Sequence, residues 1–496
     1  MANLQPVSQR DFSAGMISNI NPKLKPQNSC KVVMNCDCDD ELGSLVSRLG
    51  TGIVGTQLVD GKTVLGLHDF RDTDGSNHAL IAFVNNAGNT QSVGYKVGTG
   101  TITGLTTQTA SLKHRMLTFL DSVLIVNGTD SEKSYDGATV ITTGGAFDLA
   151  NIPVNPHFIA EFLDRVYVAR NGDDTLYYSS IPTAGAVSWT SGNGSVEIEP
   201  EDGGGGLKGF GKVPGYLLIF KERSMKRWNF VSAFPESLVN IGTPSQESVI
   251  NAHGLCAFFS ATDETSKGFY VTAGDRPVPI SHDRIRSIRK WVDAISASNY
   301  DDIAGWATDS HFAWSVGDLT VDGVTYSNVV LRWNRVLDQW TARSYPSQFS
   351  FFTRYVNGSS EAVIVGGDDD GTIIQLDKSG TYTDYDSGTA TSIPIHWEAR
   401  LQDEDFGFNQ MKELENGVIL DGENFESSRL QVFLDDDGQK NLGGIKGRTG
   451  KVSLTEPLKA THYGFSIKGT NSGSRAKVRE LEIPYVNVIN AFSNEE

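Results

Sequence analysis

Short β-branched and apolar runs, separated every few residues by Gly, Asn or Asp, fill residues 56–388, a pattern that predicts strands and turns and few helices. The candidate strand cores are Val64 to Phe70, His78 to Val84, Met116 to Val126, Arg165 to Tyr178, Tyr216 to Phe220 with Ser224 to Trp228, Leu255 to Ser260 with Gly268 to Thr272, Ile303 to Val316 with Val329 to Trp333, and Ala362 to Val365 with Thr372 to Leu376. Grouped as hairpins, they make about seven units of roughly 35 to 55 residues.

One stretch repeats. Phe119-Leu120-Asp121-Ser122-Val123 returns 43 residues later as Phe162-Leu163-Asp164-Arg165-Val166, with Asp130 falling on Asp173 and Tyr135 on Tyr178. A period near forty is the length of a four-stranded propeller blade, and a closed ring of blades hides its sheet edges. The expectation is an all-β fold: a β-propeller of about seven blades over residues 56–388, with the repeated segments as strand starts in adjacent blades.

The flanks read differently. Prolines and turn residues break every candidate helix in residues 1–55, which read as an extended N-terminal arm. Ser379 to Gly388 reads as a linker, residues 389–488 alternate like a C-terminal β-sandwich of about a hundred residues, and residues 489–496 read as a tail. Within the propeller, Ile285, Ile288, Val292 and Ile295 fall at helical spacing, with Ser281 as N-cap. Arg284, Arg286, Arg289 and Lys290 occupy the other faces of that helix and are the candidate interface or lumen residues.

Composition narrows the function. With 42 Lys and Arg against 60 Asp and Glu the net charge is −18, which argues against gripping DNA through its phosphates. The first residues carry no apolar leader, and no run approaches the ~18 apolar residues of a membrane helix, so neither secretion by a signal peptide nor membrane association is expected. Cys30, Cys36, Cys38 and Cys256 are too few and too clustered for a disulfide framework, which points to synthesis in a reducing cytoplasm.

Candidate chemistry is sparse. Gly206 to Lys212 fits G-x-x-x-x-G-K, but Val213 stands where a Ser or Thr belongs and a strand follows where a helix is needed; the segment reads as a turn between blades. Asp368-Asp369-Asp370-Gly371 and Asp435-Asp436-Asp437-Gly438 are contiguous acids ending in Gly, which suits hairpin turns better than a calcium loop. Cys36-Asp37-Cys38 lacks the spacing of a zinc site. His68, His114, His157, His253 and His396 stand singly and read as structural. A propeller glycosidase or sialidase is the enzymatic alternative, but Ser180 to Trp189 lacks the Asp of the S-x-D-x-G-x-x-W box, and Glu161 with Asp164 cannot be told from solvated charges. No catalytic, cofactor or metal residue is expected.

Leu176-Tyr177-Tyr178-Ser179-Ser180, then Trp189, Val196-Glu197-Ile198, Glu201-Asp202-Gly203, Leu207 to Phe210 and Leu217-Leu218-Ile219-Phe220-Lys221-Glu222-Arg223-Ser224-Met225 form a run that resembles tailed-bacteriophage hub or nozzle proteins, including packaged-DNA stabilisation (head-completion) proteins. Phe12-Ser13-Ala14-Gly15 with Asn35, Gly43 and Arg48-Leu49-Gly50 is similar to their opening. Asp405-Phe406-Gly407 with Lys412, Tyr463-Gly464-Phe465 and Tyr485 is similar to their C-terminal β domain. The chain departs at Met225-Lys226-Arg227-Trp228 and at the glycines 203–206. The resemblance implies a structural protein of the virion tail, made in the bacterial host. It would form a ring of six copies that extends the portal and adaptor channel, meets tail fibre, spike or needle proteins, retains packaged DNA and guides its ejection without specific binding. The alternative is a receptor-binding or glycan-degrading propeller of the tail.

Overall fold

A computed structural model describes residues 7–483 and 486–488, apart from 19–25, 27, 39, 98–101, 200, 202, 233, 283–286, 404–410, 415–416, 425–427, 436–437, 446–448, 455–456 and 472. Runs of four antiparallel strands occupy residues 64–109, 115–141, 158–197, 207–239, 250–279 and 304–344. Residues 349–375 supply three more strands, and Gly52–Ile53 adds the fourth. We number these units 1 to 7 in chain order. First strands of consecutive units pack on one another, and that of unit 7 packs on that of unit 1, which closes the circuit of a β-propeller.

The second strand of each unit explains the apolar runs. In Ser122–Val126 every residue is buried, yet Val123 and Ile125 enter the core shared with unit 1, whereas Leu124 and Val126 enter the core shared with unit 3. Tyr216–Lys221 divides likewise, Leu217 and Ile219 toward unit 3, Leu218 and Phe220 toward unit 5. A sheet covered on both faces loses the polar half of the period-two pattern. Each large apolar side chain so buried contributes roughly 1.5–3 kcal/mol before the cost of ordering it.

The 43-residue repeat superposes strands: Arg115–Phe119 and Ser122–Val126 recur as Phe158–Phe162 and Arg165–Ala169. Its Leu-Asp pairs are not strand starts. Leu120 and Asp121 (φ 51° and 52°) and Leu163 and Asp164 (φ 49° and 55°) form two-residue hairpin turns between first and second strands. Positive φ at both positions matches the twist of the flanking strands, and Leu there leaves no breaker to read. Met116 to Val126, Arg165 to Tyr178 and Ile303 to Val316 are therefore each a hairpin and not one strand.

The N-terminal segment is spread over several sheets. Val7–Gln9 and Leu45–Ser47 pair with Lys477–Ile483, while Ser29–Met34 pairs with Thr391–Leu401 and meets unit 6 at Met34 and Ala342. Downstream, the strands Thr391–Leu401, Tyr463–Asn471 and Arg429–Leu434 form one sheet and Lys477–Ile483, Val418–Glu423 and Thr449–Val452 another. Trp397, Ile467, Leu420 and Leu481 share a core that continues through Phe259, Trp314 and Trp340 into units 5 and 6.

Three expectations need correction. The linker 379–388 contains the strand Thr383–Asp386, which pairs with Thr391–Leu401. The helix is only Arg289–Asp293, preceded by Ile288, which makes no side-chain cap. Ser281 is held by unit 5 instead, its hydroxyl accepting the Phe269 N–H at 2.9 Å, although Ile288, Val292 and Ile295 are buried as the stripe requires. Leu207–Val213 is the first strand of unit 4 and not a turn. The Asp368 to Gly371 segment does turn between strands, with the Asp368 carboxylate accepting the Thr372 N–H at 2.7 Å.

Burial depresses His68, His114 and His157 to about 4 and His311 to about 3, in His311 with help from Arg332 and Arg343. Burial raises Glu132 to about 7 and Asp368 to about 6, the opposite sign for stability against pH. Near pH 5.5 these six groups together bind about two protons more in the unfolded chain than in the folded one, a slope of about 2.7 kcal/mol per pH unit from them. Denaturant titrations should show stability falling by about 2–3 kcal/mol from pH 6 to pH 5; a flat or rising profile would contradict this burial pattern.

Candidate functional site

Charge gathers at the propeller axis, in the N-terminal segment and in a cleft above the C-terminal sheet. At the axis, Arg115 opens the first strand of unit 2, and Glu247 sits between units 4 and 5, on the far side of the circuit. Their Nη2 and Oε1 atoms are 2.7 Å apart, and Lys113 lies 3.8 Å from Glu247 and 3.1 Å from Asp302. Elements so distant around a ring meet only at its centre, so one mouth of the axis is closed by side chains. Burial pushes Glu247 up, but Arg115 and Lys113 outweigh it and hold the carboxyl below its ordinary value. The turn carrying Glu247 is fixed by Trp314, whose Nε1 donates to the Ser248 carbonyl at 3.0 Å, and by Gln246, which brackets the Phe210 backbone.

The N-terminal segment carries the second group. Asp37 accepts from Arg332 and from Arg343, whose Nη2 is 3.0 Å from Oδ2, and Arg343 also binds Asp377 at 2.7 Å. Arg48 is fully buried, donating to Asn35 at 2.8 Å, to both Asp384 oxygens and to the Ser344 carbonyl. Gly50 passes so close to Thr383 that a Cβ would lie 2.0 Å from its carbonyl oxygen, which excludes any side chain. The resemblance singled out Asn35, Arg48 and Gly50, and here they join strand to strand. Lys221 does the same between units 3 and 4, buried with Nζ 2.9 Å from Asp174 and 3.0 Å from the Glu199 carbonyl. So does Tyr463, whose hydroxyl donates to the Lys412 carbonyl at 2.7 Å.

The third place is a cleft of about 640 Å³ running into another of about 690 Å³. Its floor is the polar face of Thr391–Leu401, Tyr463–Asn471 and Arg429–Leu434, and its walls are the hairpin of unit 6, the Arg289–Asp293 helix and the N-terminal segment. Lys290 reaches this cleft and pairs with Asp322 at 2.8 Å. Arg289 turns away, pairing with Asp293 at 2.7 Å and donating to the carbonyls of Thr265 and Lys267. The structure thus separates these two candidates; Arg284 and Arg286 lie outside the described residues, as do Asp405 to Gly407 and Tyr485.

The remaining candidates are structural in place. Glu161 is engaged by Lys212 at 2.8 Å, and Asp164 lies in its hairpin turn. His68 bonds Thr118 at 2.7 Å, His253 the Thr308 carbonyl at 2.8 Å and His396 Thr470 at 3.1 Å, while His114 stacks on Phe83 at 4.2 Å. All four cysteines are buried, and burial pushes Cys30 up to about 12. Among the described residues no three His, Cys, Asp or Glu converge as metal ligands.

No family model matches the chain, and no curated protein matches it. Among solved structures it is similar to U3-55K, with 8% identity over 66% of this chain and 98% of that one and a TM-score of 0.39. It is similar to the WD40 domain of Neurospora crassa Pan2, with 8% identity over 68% of this chain and 97% of that one and a TM-score of 0.38. It is also similar to the extracellular domain of BT4673 from B. thetaiotaomicron, with 10% identity over 92% of this chain, 63% of that one and a TM-score of 0.41.

The axial and N-terminal ion pairs escaped the sequence reading because their partners are far apart along the chain: Arg115 and Glu247, or Asp37 and Arg343, have no local spacing to recognise. Arg115→Met should cost about 3–5 kcal/mol in denaturant unfolding, because Glu247 is left buried with one cation fewer. The Arg115→Met/Glu247→Met pair should recover a large part of that loss, and strict additivity would show that the two side chains do not meet across the axis.

Proposed function

We propose that the chain is a structural virion protein of a tailed phage, a seven-bladed β-propeller with a C-terminal β-sandwich that assembles as a tail hub or nozzle ring. In this reading several copies, six by the resemblance, extend the portal and adaptor channel, retain the packaged DNA and guide its exit.

The observation that carries the reading is the closed axis. Arg115 and Glu247 meet where a single propeller would have its hole, so a duplex has no path through one chain. A DNA channel must then be built between copies, which is what a ring does. Several residues that carry the resemblance, Asn35, Arg48, Gly50, Lys221 and Tyr463, serve as pins between strands, which suits a scaffold better than a reaction centre. A net charge of −18 suits a wall that DNA passes without adhering. For the glycan-degrading alternative, the sequence candidates Glu161 and Asp164 sit in an ion pair with Lys212 and in a hairpin turn.

Electron microscopy of the purified full chain, alone and on virions, should show closed rings and tail-end density, and particles assembled without it should lose their DNA. A soluble monomer that cleaves a glycan would end the proposal.

A further inference from the structure

The cleft above the C-terminal sheet differs in charge from the rest of the chain. Among the described residues Lys31, Lys290, Arg400, Arg429 and Lys468 line it, against Asp322, Glu398 and Asp403, so a protein of net charge −18 carries here a surplus of two cations among them. Lys31 pairs with Asp403, Lys290 with Asp322 and Lys468 with Glu398. Arg400 and Arg429 are left without a carboxylate among the described residues. The Arg400 guanidinium lies 3.8 Å from the centre of the Phe433 ring, which holds it flat on the floor.

Hydrogen-bonding capacity is also left open along the same floor. Arg400 Nε, Gln431 Oε1 and Asp403 Oδ1 are buried atoms without a partner among the described residues. Buried polar atoms in native proteins are normally satisfied, and a row of them in an open cleft points to something that binds there. One of these atoms donates and two accept. A phosphate backbone offers acceptors and negative charge only, and would meet the three carboxylates of the cleft. An extended polypeptide offers donors and acceptors alternately along its length, and acidic side chains on it would match Arg400 and Arg429.

We infer that this cleft is a docking groove for an extended, acidic segment of a partner protein. The segment lies along the polar face of the sheet, its backbone meets Gln431 and Asp403, and its carboxylates pair with Arg400 and Arg429. Half-buried Tyr326, backed by the fully buried Trp291 with ring centres 5.2 Å apart, forms the wall against which its apolar side chains pack. The inference does not rest on the virion reading.

The probe is a short fluorescein-labelled peptide alternating glutamate and valine, with a lysine and valine peptide as its counterpart, titrated against the full chain by fluorescence anisotropy. The glutamate peptide should bind, more weakly at high salt, and the lysine peptide should not. Arg400→Glu with Arg429→Glu should weaken binding at least about tenfold, and Arg400→Gln with Arg429→Gln by less, with circular dichroism and melting temperature unchanged. The inference is overturned if the glutamate peptide does not bind, if both peptides bind alike, or if charge reversal in a folded variant has no effect. Self-association of the wild type that the reversal abolishes would assign the groove to a second copy of the chain and overturn the partner assignment.

Discussion

Asp37 meets Arg332 and Arg343 in a place with almost no water, and the way the N-terminal segment, the propeller and the C-terminal sheets hold together depends on that meeting. Burial alone would raise the Asp37 pKa; the two arginines outweigh it and hold the carboxylate far below its ordinary value. Arg343 is itself shared with Asp377, and Arg48 repeats the arrangement with Asp384 a few strands away. Charges buried this deeply gain little net stability over an apolar replacement. Removing one partner is another matter, since it strands the other in a low dielectric. The network therefore acts as a specification: it allows one crossing of the N-terminal segment and penalises the rest.

That crossing sets the order of the structure. The segment leaves the C-terminal sheet at Leu45–Ser47, passes Arg48 and Gly50, and completes unit 7 as Gly52–Ile53, so closure of the propeller and attachment of the C-terminal sheets are made by one continuous stretch. The core between units 5 and 6 runs on into the C-terminal sheets, which explains why they sit there and not elsewhere on the circuit. On the axis, Arg115 and Glu247 apply the same physics between elements far apart around the ring.

Much of this fold was legible because a propeller writes itself locally. The second strands appear as apolar runs, and the repeat of Phe119 at Phe162 gives the unit length. What was not legible is what the chain hides by geometry. Leu120 and Leu163 take positive φ without a glycine to announce it. The 379–388 segment reads as a linker because Thr383–Asp386 gains its strand character from Thr391–Leu401 and from Arg48, hundreds of residues away for the latter. The Ile288 stripe is real but the helix begins only at Arg289, Ser281 being tied to Phe269 instead of capping it. The basic cluster was read as one group; Arg289 and Lys290 face different neighbours because consecutive helical positions do not share a face.

The most direct test is hydrogen–deuterium exchange of Asp37→Asn against the wild type. Losing the charge opposite Arg332 and Arg343 should cost about 3–5 kcal/mol, a rise of roughly a hundredfold or more in exchange governed by opening of the network. The rise should appear together in Gly52–Ile53 and Ile373–Gln375 of unit 7 and in Thr391–Leu401 and Lys477–Ile483 beyond it, while units 2 to 4 keep their protection. A change confined to the residues around Asp37, with unit 7 and the C-terminal strands as protected as before, would show that the segment does not join them and would contradict this account.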